Sequence, residues 1–214
     1  MLYTADFETT TDESDCRVWA WGVCEIDNFD NFKYGTTIES FIRFMEESNN
    51  STFYFHNLRF DGEFLLHYLL THSYKWVKDI KEEETKTFST LISDKGQFYS
   101  IRIIFEKKGR KKKFVRIFDS LKILPFSVED IAKGFNLPIS KLEIDYDEKR
   151  EVGHILTDVE KAYLKNDVEI VARALSVLFN QDLDKMTQGS NALHDYKMTV
   201  GKKEFERWFP STRL

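Results

Sequence analysis

Three short stretches hold side chains whose types and spacing suit metal-assisted phosphate chemistry. They are Asp6 and Glu8 in LYTADFETTT, Asn57 and Asp61 in YFHNLRFDGEF, and Tyr163 and Asp167 in AYLKND. Residues two apart on a strand share a sheet face, so Asp6 and Glu8 project together while Ala5 and Phe7 point the other way. Carboxylates side by side repel unless a cation lies between them. Asp61 follows Asn57 where a strand turns into a helix, and Asp167 comes from a late helix. Four hard oxygen ligands with room for water suit Mg²⁺ or Mn²⁺ rather than zinc. Two such ions, about 4 Å apart, stabilise both the attacking and the leaving oxygen of phosphodiester hydrolysis. A tyrosine with an ordinary pKa of about 10 is a poor base at neutral pH, so Tyr163 suits orienting the attacking water.

Each element of this set also has an ordinary reading. A D-x-E at a strand end is commonly a solvated edge. The N-x-x-x-D can simply cap the helix that starts near Phe60. The Y-x-x-x-D can be a plain helix pair. Taken singly, each ordinary reading outweighs the functional one. The three together, in this order and on these elements, favour one shared cation site.

The elements that must position these groups follow from periodicity. Residues 2–7, 17–26, 33–37 and 52–56 read as strands, and 38–48 and 60–71 as helices. Between 85 and 119 lie three strand-like runs, KTFSTLIS, GQFYSIRIIFE and KFVRIFDS, joined by turns. Residues 127–135 predict a short helix, and 138–156 an irregular stretch. The clearest helix is 158–180, opened by the T-x-x-E capping box of Thr157 and Glu160. Leu164, Val168, Val171, Leu175 and Leu178 form its apolar stripe. Tyr163 and Asp167 are one turn apart at the edge of that stripe, a natural place to face a cleft. The tail from 185 is mixed, with a short helix at KKEFERWF. No internal repeat or low-complexity linker interrupts the 214 residues, which read as one α/β domain.

Composition narrows the setting. A hydrophobic content of 42%, with 19 Phe, 9 Tyr and 4 Trp, is enough for a core. No apolar run is long enough to span a membrane, and the N-terminus has no signal-peptide pattern. Cys16 and Cys24 are too few for a disulfide framework or a cysteine-ligated zinc site, which fits a reducing cytoplasm. The net charge of −5 conceals a basic run at 107–113, where Lys107, Lys108, Arg110, Lys111, Lys112 and Lys113 surround Gly109. That run is either a solvated hairpin tip or a track for DNA phosphates.

Taken together, the motifs resemble the 3′–5′ proofreading exonuclease domain of family B DNA polymerases, in its protein-primed, bacteriophage-type subgroup. DFETTT, YFHNLRFDG and AYLKND resemble the three exonuclease motifs. Ser120-Leu121-Lys122-Ile123-Leu124 and Lys141-Leu142-Glu143-Ile144 resemble two further motifs of the subgroup. The resemblance implies a ribonuclease H-like α/β fold, with a mixed central sheet of about five strands flanked by helices and a basic β-hairpin. It implies two divalent cations, Mg²⁺ or Mn²⁺, on Asp6, Glu8, Asp61 and Asp167, with Asp61 acting directly or through water. Tyr163 would orient the hydrolytic water and Lys141 would stabilise phosphate charge. Thr9, Asn57, Phe60, Ser120 and Leu121 match residues that contact a single-stranded primer terminus. Tyr54, His56, Phe64 and Tyr146 match a second tier that binds DNA or a terminal priming protein. Among these, His56 and Phe64 also suit a plain core role.

The implied domain is 1–184, with 185–214 an extension toward a polymerization domain. The polymerization motifs Y-x-G-G, D-x-x-S-L-Y-P and D-T-D are absent, so this chain is expected to remove nucleotides and to need a partner domain or subunit to add them. The expected partner is the 3′ terminus of single-stranded DNA, with no membrane involvement, in the host cytoplasm if phage-encoded. The competing expectations are an RNA-directed exonuclease of the same fold and a non-catalytic module that binds DNA or a priming protein.

Overall fold

Alternating side chains set the first strand. In β1 (Leu2–Thr9), Tyr3, Ala5 and Phe7 enter one core layer, while Thr4, Asp6 and Glu8 face the other way. The computed structural model describes residues 1–12, 14–145 and 148–210. β2 (Val18–Glu25) pairs antiparallel with β1, and β3 (Asn28–Gly35) pairs antiparallel with β2 at the sheet edge. On the other side of β1, β4 (Thr52–Phe55) runs parallel to it.

Four more strands follow: β5 (Lys75–Trp76), β6 (Thr87–Ile92), β7 (Phe98–Lys108) and β8 (Lys111–Asp119). The sheet order is β3-β2-β1-β4-β8-β7-β6-β5. The described residues therefore form one mixed sheet of eight strands, not about five. The β6–β7–β8 meander continues the sheet beyond β4, and the two-residue β5 extends its edge. Residues 138–145 and 148–156 contain no helix or strand, as their sequence suggests.

Helices cover both faces. α1 (Ile38–Glu47) and α2 (Leu58–Thr71) close an aromatic core around Phe7, Phe41, Phe53 and Phe55. Edge-on rings dominate there, such as Phe7 and Phe41 at 4.8 Å and 90°. On the opposite face, α3 (Val128–Gly134) and α4 (Asp158–Phe179) bury Ile131, Val168, Val171 and Leu175 against Tyr54 and Cys24. The α4 capping box forms: Thr157 Oγ1 accepts from Glu160 N at 3.2 Å, and Glu160 Oε2 accepts from Thr157 N at 2.9 Å. Both bonds satisfy donors that the first helical turn otherwise leaves open.

The tail holds two helices, α5 (Gln188–Val200) and α6 (Lys202–Trp208). Only α6 was expected, because the apolar residues of α5 do not form a regular buried stripe. Asn191 is its one buried residue. Among the described residues, no helix is long and apolar enough to cross a membrane.

Candidate active site

A cleft of about 490 Å³ opens where β1, the β4–α2 turn and α4 meet. Its lining includes Asp6, Glu8, Asp61, Tyr163, Asp167 and Lys141. Thus all six side chains expected to do chemistry share one cavity. β1 supplies Asp6 and Glu8 from its polar face. α2 supplies Asp61, whose Oδ1 accepts from Phe7 N at 3.2 Å, fixing it beside the first pair. α4 supplies Tyr163 and Asp167 from successive turns. Lys141, on the irregular segment before α4, donates from Nζ to Asp167 Oδ2 at 2.9 Å and lies 5.6 Å above the Tyr163 ring.

The charge balance is unfavourable without cations. Desolvation in the cleft, followed by the charge of Asp167, pushes Asp6 up to about 7. Desolvation and then Asp6 and Asp167 push Glu8 up to about 9, although Lys141 and Arg150 pull it down. Desolvation, then Asp6, holds Asp61 well above the usual carboxylate range. Asp167 Oδ1 is buried with no hydrogen-bond partner among the described residues. A buried carboxylate oxygen without a donor needs a cation or a proton. The donor chemistry therefore fits Mg²⁺ or Mn²⁺ on Asp6, Glu8, Asp61 and Asp167. No three His, Cys, Asp or Glu side chains among the described residues are gathered into a ready-made cage.

The residues expected to grip DNA divide into two groups. Thr9, Tyr54, His56, Asn57 and Phe60 line the cleft. Phe60 is 52% exposed at its rim, suited to stacking on a base. Asn57 is left-handed, with φ 73° and ψ 55°, and its side chain makes no capping bond. The simple cap reading of N-x-x-x-D therefore does not hold. The other group stands outside the cleft lining. Phe64 rests on Phe60 at 5.8 Å and faces a neighbouring groove with His67 and Tyr68. Ser120 is wholly buried, and its hydroxyl lies 3.0 Å from both Phe55 O and His56 Nδ1. Leu121 sits beside it on the turn after β8. Tyr146 lies outside the described residues.

His56 is engaged at both ring nitrogens. Phe126 O, 2.7 Å from Nε2, can only accept, so Nε2 donates to it, while Nδ1 lies 3.0 Å from the Ser120 hydroxyl, which itself donates to Phe55 O at 3.0 Å. Burial lowers the pKa of this ring.

The comparisons with known proteins bear on this cleft. Residues 42–161 match the family described as DNA polymerase type B, organellar and viral, over more than half of the chain. The chain belongs to this family. It is 46% identical over 213 residues to the DNA polymerase of Bacillus phage M2, covering 100% of this chain and 36% of the relative. The fold matches phi29 DNA polymerase complexed with single-stranded DNA at a TM-score of 0.91 and 41% identity, over 96% of this chain and 36% of that one. For phi29 DNA polymerase complexed with primer-template DNA and incoming nucleotide substrates, the TM-score is 0.90 at 41% identity, over 96% and 35% of the two chains. The chain spans about a third of the length of these type B polymerases. It corresponds to the exonuclease-domain region of the protein-primed, phi29-like subgroup.

Four of the six cations of the basic run form ion pairs within the protein. Lys112 pairs with buried Glu83 at 2.6 Å, Lys107 with Glu84 at 2.7 Å, Lys108 with Glu106 at 2.6 Å and Lys113 with Glu46 at 3.6 Å. Among the described residues, Arg110 and Lys111 make no ion pair. β8 runs from the tip at Lys111 to Asp119 behind the cleft. At roughly 3.3 Å per residue, the tip is about 25 Å from that end.

Asp119, which immediately precedes the Ser120-Leu121 motif, is a buried residue that the sequence motifs do not include. Its Oδ1 accepts from Asn57 N at 3.1 Å, Leu58 N at 3.3 Å and Leu121 N at 3.0 Å. A buried acid at the end of a β-strand, next to a turn, was the available signal.

Proposed function

We propose that this chain is a divalent-metal-dependent 3′–5′ exonuclease acting on single-stranded DNA, the proofreading part of a protein-primed type B DNA polymerase. One observation carries the reading: Asp6, Glu8, Asp61, Asp167, Lys141 and Tyr163, drawn from three distant stretches, line one cleft. The family supports it, as does the likeness to a polymerase complexed with single-stranded DNA. The fold is then a ribonuclease H-like one with an enlarged sheet. Residues 1–184 form the exonuclease unit, and 185–214 lead toward a polymerization domain.

Asp6, Glu8, Asp61 and Asp167 would hold two Mg²⁺ or Mn²⁺ ions. When bound, these ions supply charge stabilisation to the attacking and leaving oxygens and help generate the nucleophile. The chain's own groups do the rest. Tyr163, on the turn before Asp167, orients the attacking water by hydrogen bonding. Lys141 offsets negative charge on the scissile phosphate. Phe60 stacks on a terminal base, while Thr9 and Asn57 contact the strand, a mode that tolerates any sequence. His56 and Tyr54 support the cleft floor and, with Phe64, form a surface for DNA or a terminal priming protein. The site works in the host cytoplasm if the chain is phage-encoded.

Titrating Mg²⁺ or Mn²⁺ against 5′-labelled single-stranded, paired and mismatched DNA tests the reading. A ladder shortening from the 3′ end, faster at mismatched than at paired termini, is expected. Metal-dependent binding without any shortening would sink it. Matched RNA cleaved as fast as DNA would remove the DNA preference.

A further inference from the structure

The helix that delivers Asp61 has an unusual beginning. Its N-cap, Asn57, is left-handed and leaves the first-turn amides without a side-chain acceptor of its own. Helices normally recruit Ser, Thr, Asp or Asn at that position. Here the acceptor comes from another strand. Asp119 Oδ1 takes the amides of Asn57 and Leu58, 62 and 61 residues away in sequence. The same oxygen takes the amide of Leu121, two residues on. Asp119 is 2% exposed and does not line the cleft, so it stands behind the substrate rather than against it. Its ion pair with Lys122, through Oδ2 at 3.7 Å, is long.

We propose that Asp119 is a positioning residue for the single-stranded 3′ terminus, one carboxylate oxygen clasping together the two turns that carry Asn57 and Phe60 on one side and Leu121 on the other. The proposal rests on the exonuclease reading and adds a residue to it. Parallel strands β4 and β8 deliver both turns to the same end of the sheet, Phe55 opposite Asp119. Without the clasp, the left-handed turn at Asn57 loses its amide acceptor and its reason to stay closed. Asp61 is held separately by Phe7 N, so the clasp governs DNA affinity more than the chemical step. A charge-assisted bond to a carboxylate is a stronger amide contact than a neutral one, and loss of this acceptor leaves three donors to be met by water.

The test compares the full chain with its Asp119→Ala, Asp119→Asn and Lys122→Ala variants. Cleavage of a 5′-labelled oligothymidylate in Mg²⁺ gives kcat and KM, and binding of the same probe in EDTA gives Kd. Asp119→Ala is expected to raise KM and Kd by about tenfold or more while kcat changes by less than about threefold. Asp119→Asn retains an acceptor oxygen and should stay within about threefold of wild type, as should Lys122→Ala. Unchanged KM in Asp119→Ala overturns the proposal. So does a kcat loss alone, or Asp119→Asn as impaired as Asp119→Ala. Amide hydrogen exchange supplies a readout independent of DNA. In the wild-type chain the amides of Asn57, Leu58 and Leu121 should be protected, and free exchange there refutes the clasp even if Asp119→Ala does not fold. A wild-type chain that neither binds nor cuts the probe defeats the exonuclease reading, while the amide pattern still reports on the clasp.

Discussion

Four carboxylates in one desolvated cleft give opposite demands to folding and to function. Burial raises Asp6 to about 7 and Glu8 to about 9, from ordinary carboxyl values near 4. Below about pH 4, folded and unfolded chains both hold these protons, and the associated stability is fully present. As pH rises, the unfolded chain gives them up first, so stability is lost through about 7 and about 9. In EDTA the melting temperature is therefore expected to fall between pH 5 and pH 9, roughly the span bounded by these values. Mg²⁺ or Mn²⁺ should restore it by binding the folded state. Asp6→Asn with Glu8→Gln should flatten the fall. Melting curves across pH, with and without metal, check both statements, and a pH-independent wild type would contradict the charge balance. Tyr163 and Asp167 separate by role. Tyr163→Phe removes one orienting hydrogen bond and should slow cleavage about tenfold. Asp167→Ala removes a carboxylate proposed to hold metal and the partner of Lys141, so single-turnover rates should fall further. The reverse order would undo these assignments.

At the scale of elements, the site depends on how closely α4 lies on the sheet. Gly22 of β2 sits opposite Asp6 in the β1–β2 register. A Cβ at Gly22 would meet Leu164 Cγ at 2.6 Å and a Phe32 ring carbon at 3.1 Å. Leu164 lies between Tyr163 and Asp167 in sequence and is fully buried. Thr4 Oγ1 pins the same helix from β1, donating to Val168 O at 2.7 Å. Gly22→Ala must push α4 away from β1, carrying Tyr163 and Asp167 with it. The expected cost is about 1–3 kcal/mol of stability, with a larger loss of activity, because a displacement near 1 Å costs about 100-fold. Thermal melting and cleavage rates on the same samples check this. Activity that falls only in proportion to the folded fraction would show that α4 has not moved.

These close approaches also mark where the sequence stops being legible. The carboxylate pairs, the Thr157–Glu160 cap and the α4 stripe depend on neighbours within a few residues, and all could be read directly. Gly22 meets a residue of the distant helix α4, and Asp119 holds amides 61 and 62 residues away. Nothing in their local sequence reports those partners. The two-residue β5 exists only because β6 offers it an edge, and α5 lacks a regular apolar stripe. The basic run looked like a nucleic-acid surface because Glu46, Glu83 and Glu84 come from other elements.

For the whole molecule, eight strands and two helical layers bring three distant acidic motifs to one end of the strands and leave the basic hairpin tip at the other. The chain covers about a third of the length of its polymerase relatives, and the proposed exonuclease chemistry rests on this one cleft. The most direct measurement sets wild type beside the Asp6→Ala, Glu8→Ala double variant on a 5′-labelled single-stranded oligonucleotide in Mg²⁺, with circular dichroism on both. Wild type should shorten the strand from its 3′ end, and the double variant should be slower by about three orders of magnitude or more while remaining folded. Equal degradation by the two folded proteins would contradict the assignment of this cleft as the nuclease site.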